Sequence, residues 1–181
     1  MKLVKQYSNT NLKIDYSFKS LHKNIMSCPN LTKITLNIGT REANINSNKV
    51  LIPLLILKIL SSELPKCTKA HASIANFKLR QGKIIGCKKT LRGPKMFSFL
   101  ETLIYLVISG NFENKKIKYI NSRHTNSITL GIKDCSIFPE LENQYNLLKN
   151  IIGLNITLTY SGVVKTKDNM FFSGLKIPFK L

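Results

Sequence analysis

The sequence predicts an α+β fold: a single domain on a mostly antiparallel sheet flanked by helices, with a protruding basic loop. Three observations predict it. Four separate segments alternate apolar and polar residues with the period of two that marks a half-buried strand. Two longer apolar segments between them carry helical spacing. No internal repeat or hinge-like linker divides the 181 residues, a length that suits one domain with a sizeable core.

The elements follow in order. Residues 1–27 are polar and rich in Asn and Lys, with weak helical spacing. They read as a helical segment ahead of one domain at residues 28–181. Leu31 to Ile38 alternates, with Ile34, Leu36 and Ile38 on one face and Lys33, Thr35 and Asn37 on the other. Gly39 ends that strand. Residues 49–63 read as a largely buried helix with Pro53 in its first turn or at a kink. Pro65 opens a short extended piece through Ala70. Ser73 to Gly82 reads as a strand followed by the protruding loop. Ile84 to Arg92 alternates again, with Ile85, Cys87, Lys89 and Leu91 opposite Lys88, Thr90 and Arg92. Lys89 interrupts the apolar side, which points to an edge strand.

Gly93-Pro94 opens the second helix, because proline suits the first helical position. Phe97, Leu100, Ile104 and Ile108 supply its apolar stripe, and Gly110 is placed to end it. Residues 111–126 are polar and read as a loop. Ser127 to Ile132 alternates as a strand. An extended piece reaches Phe138-Pro139-Glu140, with a short helix after it. Leu154 to Tyr160 is the cleanest strand, with Asn155, Thr157 and Thr159 on its polar side. Thr166 is placed to cap a last helix through Phe172.

Charge gives the first functional signal. The chain holds 28 Lys+Arg against 9 Asp+Glu, a formal net charge of +19. A compact fold this basic repels itself unless a polyanion is near. Nucleic acid is the leading partner class and an anionic membrane surface the second. No acidic residue lies between Glu63 and Glu101, while that stretch holds Lys66, Lys69, Lys78, Arg80, Lys83, Lys88, Lys89, Arg92 and Lys95. Such a block suits phosphate neutralisation. A solvated basic face is the plainer reading, because Lys (24), Ile (22) and Asn (18) are abundant in the way an AT-rich genome produces. The polar strand faces Lys33/Thr35/Asn37 and Lys88/Thr90/Arg92 could form a platform for the wide minor groove of an RNA helix. Phe77 sits among cations and could stack on a base, or belong to the core.

Other classes are excluded or disfavoured. The apolar run at residues 50–60 is too short for a membrane span and is broken by Pro53 and Lys58. The first 20 residues lack an apolar core and a cleavage site, so no targeting segment is expected. Cys28, Cys67, Cys87 and Cys135 form no C-x-x-C pair, so free thiols are expected and no metal site. Phosphate-loop, nucleophile-elbow and zinc-protease motifs are absent, and His22, His71 and His124 are scattered. No catalytic residues and no cofactor are expected.

Leu91-Arg-Gly-Pro-Lys-Met-Phe-Ser-Phe-Leu100, preceded by Ile85-Gly-Cys-Lys-Lys-Thr90, resembles the signature of large-subunit ribosomal protein five, bacterial type. Further segments agree in the family's order: residues 33–39, 68–70, 73–82, 130–133, 137–140 and 153–157, and the closing Ile177-Pro-Phe179. The resemblance implies an antiparallel sheet flanked by helices and a non-enzymatic protein of the central protuberance. It implies large-subunit rRNA, above all 5S rRNA, as a partner of the sheet face. Lys33, Asn37 and Thr90 match family contact positions, and Thr35, Lys69, Lys88 and Arg92 lie with them. The stretch Ser73 to Lys83 resembles the loop that reaches the P-site tRNA. Ser73, Asn76, Phe77, Lys78, Arg80, Gln81 and Lys83 would make that contact.

Lys115, Lys116 and Lys118 fall where the family approaches the small-subunit head, among neighbouring ribosomal proteins. The family's Gly-Gln-Lys-Pro turn here reads Ser62-Glu63-Leu64-Pro65, which puts a carboxylate where an amide is expected near RNA. Resemblance and composition together suggest a mitochondrial ribosome, in the matrix; a plastid or a bacterial cytoplasm fits the same facts. The rival outside the family is a free basic RNA-binding chaperone or membrane-surface protein.

Overall fold

The computed structural model describes residues 2–20, 24–40, 47–108, 117–122, 126–144, 153–162 and 170–175. Two helices, α1 (Lys2–Asn9) and α2 (Asn11–Ser20), open the chain. Then come β1 (Asn30–Gly39), α3 (Leu51–Ser61), β2 (Lys66–Lys69), β3 (Ile84–Leu91) and α4 (Gly93–Ile108). β4 (Ile117–Ser122), β5 (Ser127–Ile132), α5 (Pro139–Glu142), β6 (Leu154–Ser161) and α6 (Met170–Gly174) complete it. The strands form an antiparallel sheet in the order β2-β3-β1-β6-β5-β4. The α+β class expected from the sequence is the one observed.

The chain divides into two compact units. One holds residues 1–34, 91–130 and 157–181; the other holds residues 35–90 and 131–156. In the first, α1 lies beside α2 and α4, and α2 beside α6. Tyr16 meets Phe171 edge-on, with ring centres 6.4 Å apart, and Phe171 also faces Tyr160 at 6.3 Å. Thr32 donates its hydroxyl to the carbonyl of Thr159 at 2.9 Å, and the Thr129 and Thr157 hydroxyls are 3.1 Å apart. The α4 stripe is turned from the expected one. Met96, Phe97, Phe99, Leu100, Leu103 and Leu106 are buried, while Ile104 is half-buried. Buried helix positions follow the local packing partner, and a regular stripe only approximates it.

In the second unit α3 packs against α5. Leu36, Ile38, Ile56, Leu57, Cys87, Phe138, Leu154 and Ile156 are buried there. Pro53 lies in the first turn of α3, where its missing N–H leaves no donor unpaired. The helix ends at Ser62, which adopts the left-handed conformation at φ 52° and donates its N–H to the carbonyl of Ile59.

Three expectations are corrected. β3 is not an edge strand: it lies between β2 and β1, and β2 is the edge. Lys89 is tolerated inside the sheet because the Glu63 carboxylate meets it. The polar stretch 111–126 is not all loop, since β4 occupies Ile117–Ser122. Lysine and asparagine there hide a strand that pairing recruits. Ser73 to Gly82 contains no strand. It is a loop with one isolated bridge between Ile74 and Leu79 around a 3-10 turn at Ala75–Phe77. Thr166, Gly110 and the closing 177–179 lie outside the described residues.

All four cysteines are free thiols, three of them buried. Burial pushes the Cys135 thiol up to about 12, helped by the Asp134 carboxylate. Cys87 is also pushed to about 12, by burial first and then by its neighbour Cys67. No helix of the described residues is long and apolar enough to cross a membrane.

Candidate nucleic-acid interface

β1 alternates as its sequence requires. Ile34, Leu36 and Ile38 have no exposed surface, whereas Lys33 and Thr35 are half-buried and Asn37 is exposed. The two faces differ because successive side chains of a strand point to opposite sides. β3 repeats the pattern, with Cys87 and Leu91 buried, Lys88 exposed and Thr90 half-buried. Arg92, just past β3, is exposed.

The antiparallel register ties β2 to β3. Lys66 stands opposite Lys88, Cys67 opposite Cys87 and Thr68 opposite Gly86; the register then shifts, so that Lys69 pairs with Ile84. Directly opposed residues share a face. Lys66 and Thr68 therefore extend the open face of Lys88 and Thr90 onto the sheet edge. After the shift Lys69 is exposed. Gly86 has a structural reason on this face. A Cβ there would lie 2.5 Å from the carbonyl oxygen of Ile38 and 3.3 Å from the Thr68 hydroxyl.

Lys89 points to the other side. Its amine sits 2.6 Å from a Glu63 carboxylate oxygen and donates to the carbonyl of Leu64 at 3.1 Å. The Lys89 side chain is 17% exposed and that of Glu63 34%. The carboxylate that departs from the family turn is thus held by a lysine of the neighbouring strand.

The loop at residues 70–83 is closed twice. At its base the Ala70 N–H donates to the Lys83 carbonyl at 2.8 Å, and the Gly82 N–H to the Ala70 carbonyl at 3.0 Å. Further out, Ile74 and Leu79 exchange backbone hydrogen bonds of 3.0 and 3.1 Å. The Ser73 hydroxyl accepts from the Gln81 N–H at 2.9 Å. Lys78 turns the tip in the left-handed conformation, φ 51°. His71 to Lys78, Arg80 and Gln81 are exposed, Lys83 is half-buried, and Phe77 is 70% exposed at the tip. Phe77 is therefore not a core residue.

The structure thus brings Thr35, Asn37, Lys69, Lys88 and Thr90 into one unit with the loop. Lys33 and Arg92 belong to the other unit. Lys115 and Lys116 lie outside the described residues, and of Lys118 only the β4 backbone is described. Lys66 is the residue that sequence reasoning left out of the site. Its charge was visible in the basic block, but its place opposite Lys88 depends on register.

The C-terminal model of the ribosomal protein L5 family matches residues 84–179, and the model of ribosomal protein L5 itself matches residues 24–80. The chain belongs to the ribosomal protein L5 family. Its relatives cover nearly its whole length. Large ribosomal subunit protein uL5m of Reclinomonas americana is 33% identical over 178 residues, 98% of each chain. Large ribosomal subunit protein uL5 of Nitrosomonas europaea is 36% identical over 181 residues, 99% of this chain and 98% of the relative. The uL5 of Blochmanniella floridana is 32% identical over 182 residues, 99% and 94% respectively. As an L5 protein the chain is a structural, non-enzymatic constituent of the large ribosomal subunit, and rRNA is its partner class.

Proposed function

We propose that this L5 protein anchors 5S rRNA, or the RNA that takes its place in the central protuberance, and touches the P-site tRNA. The open face of β1, β2 and β3 carries the reading. Amide, hydroxyl and amine groups alternate there over a packed apolar face, which suits the 2′-hydroxyls and phosphates of an RNA minor groove. Lys33, Thr35, Asn37, Lys69, Lys88, Thr90 and Arg92 supply the rRNA contacts. The loop at residues 70–83 supplies the tRNA contact: its double closure supports an exposed tip where Phe77 stacks and Lys78 and Arg80 meet phosphates. The region of Lys115, Lys116 and Lys118 faces the small-subunit head. The ribosome in question is mitochondrial, a reading supported by the Lys, Ile and Asn bias and the uL5m relative.

Ultraviolet crosslinking in the source cell, followed by sequencing of the attached RNA, tests this. Reads on 5S rRNA, neighbouring large-subunit helices and tRNA elbows are expected, from the mitochondrial fraction. Reads scattered over messenger and ribosomal RNA alike would overturn it in favour of a free RNA chaperone.

A further inference from the structure

We propose that Lys66 and Lys88 together grip a single backbone phosphate of the bound RNA. This deepens the RNA-binding reading above and rests on it. The two lysines are directly opposed across the β2–β3 pair, so their Cβ atoms are about 4.5–5.5 Å apart on one face. Both are exposed. Among the described residues neither meets a carboxylate. Glu63, the nearest acid in sequence, is held by Lys89, whose side chain leaves β3 on the other side from Lys88.

Like charges directly opposed across strands destabilise a sheet. An anion placed between the two amines turns that repulsion into two attractions. Two ammonium groups on flexible stems can close on one phosphate, each as a point charge. The surroundings suit an RNA strand laid along the edge. Gly86 has no side chain beside Lys88, and the Thr68 hydroxyl lies on the same face as a further donor. A charge on an edge strand can also serve only to block pairing with another sheet. Repulsion by Lys66 would then have no bearing on RNA.

The test uses the full chain with a 5S rRNA transcript and, separately, a tRNA transcript. The logarithm of affinity is followed against the logarithm of salt concentration for wild type, Lys66→Gln, Lys88→Gln and the double variant. A shared phosphate stays neutralised by whichever lysine remains, so each single variant weakens binding with little change of slope, while the double variant loses about one unit of slope, which is about eightfold in affinity at 0.1 M salt. The transcript that shows the loss identifies whether the phosphate is on rRNA or tRNA. Lys66→Glu should weaken binding further while raising the melting temperature of the free chain, because the opposed pair becomes attractive. Unchanged affinity in Lys66→Gln, with Lys88→Gln alone losing the full unit of slope, would leave Lys66 only edge protection. A double variant losing two units would mean two independent phosphates; either result overturns the clamp. Should wild type bind both transcripts equally while the slope still falls, the 5S reading fails and the clamp stands.

Discussion

Replacing Gly86 by alanine should part three strands. The new Cβ would lie 2.5 Å from the Ile38 carbonyl oxygen, 3.3 Å from the Gly39 Cα and 3.3 Å from the Thr68 hydroxyl. Ordinary contact begins near 3.4 Å, so β3 must move about 0.9 Å from β1, and Thr68 on β2 limits the retreat. The Thr40 N–H to Ile85 carbonyl bond, now 2.8 Å, lies beside that contact and would stretch past useful length. Overpacking in a tight site costs about 1–3 kcal/mol and a lost hydrogen bond about 1 kcal/mol. Alanine returns about 0.4–1 kcal/mol by narrowing the unfolded ensemble. The net loss is about 2 kcal/mol, or a fall in melting temperature of about 4–8 °C for a chain of this size.

Circular dichroism melts and urea midpoints measure it. Gly39→Ala is the control, because nothing lies within 4 Å of its Cβ position and its φ is not positive; it should stay within about 0.5 kcal/mol of wild type. If Gly86→Ala melts within a degree of wild type, the strands are not held as closely as the geometry requires.

Further predictions concern the turn and the thiols. Glu63→Gln should lower stability by about 1 kcal/mol by leaving Lys89 half-buried without its carboxylate, and Lys89→Met added to it should restore the loss; urea midpoints of the four chains of the cycle decide this. RNA affinity should change little in Glu63→Gln, since that carboxylate is already paired. Ser62→Gly should stabilise by about 0.5–1 kcal/mol, because serine is strained at φ 52° and glycine is not; a thermal melt that falls would contradict it. Stability should also decline above pH 9. The Cys135 thiol ionises near 9.0 in the unfolded chain and near 12 when folded, so between those values the native state holds a proton the unfolded state has lost. Stability is then fully present below pH 9 and falls by about 1.4 kcal/mol per pH unit above it. Comparing wild type with Cys135→Ala cancels lysine titration, and equal slopes for the two would refute the assignment.

Much of this was legible locally. The alternation of Leu31 to Ile38 defined both faces of β1 without any neighbour, because pleat geometry alone sends Ile34 and Asn37 to opposite sides. Pro53 and the apolar run after it placed α3 to within two residues at either end. The lysine block and the motif around Leu91, Arg92 and Gly93 pointed to RNA and to the family without any tertiary contact. Phe77 was ambiguous, since a lone aromatic among cations has no period to read. Its 70% exposure on a doubly closed loop decides it.

Other features depend on which segments meet. By its own residues Lys89 reads as the mark of an edge and residues 117–122 read as loop, because strand pairing is not written in either segment alone. The Glu63 carboxylate, out of place in the turn by itself, belongs to an ion pair reaching 26 positions along the chain, from 63 to 89. Lys66 became part of the candidate interface only through its register with Lys88. Period, charge and turn chemistry are properties of neighbours in sequence, so the chain by itself determined its class, its strand faces and its kind of partner. Strand order, register and the pairing of distant charges are properties of neighbours in space. Only the tertiary structure decided those, because a strand's hydrogen bonds and opposed side chains are supplied by residues its own sequence does not name.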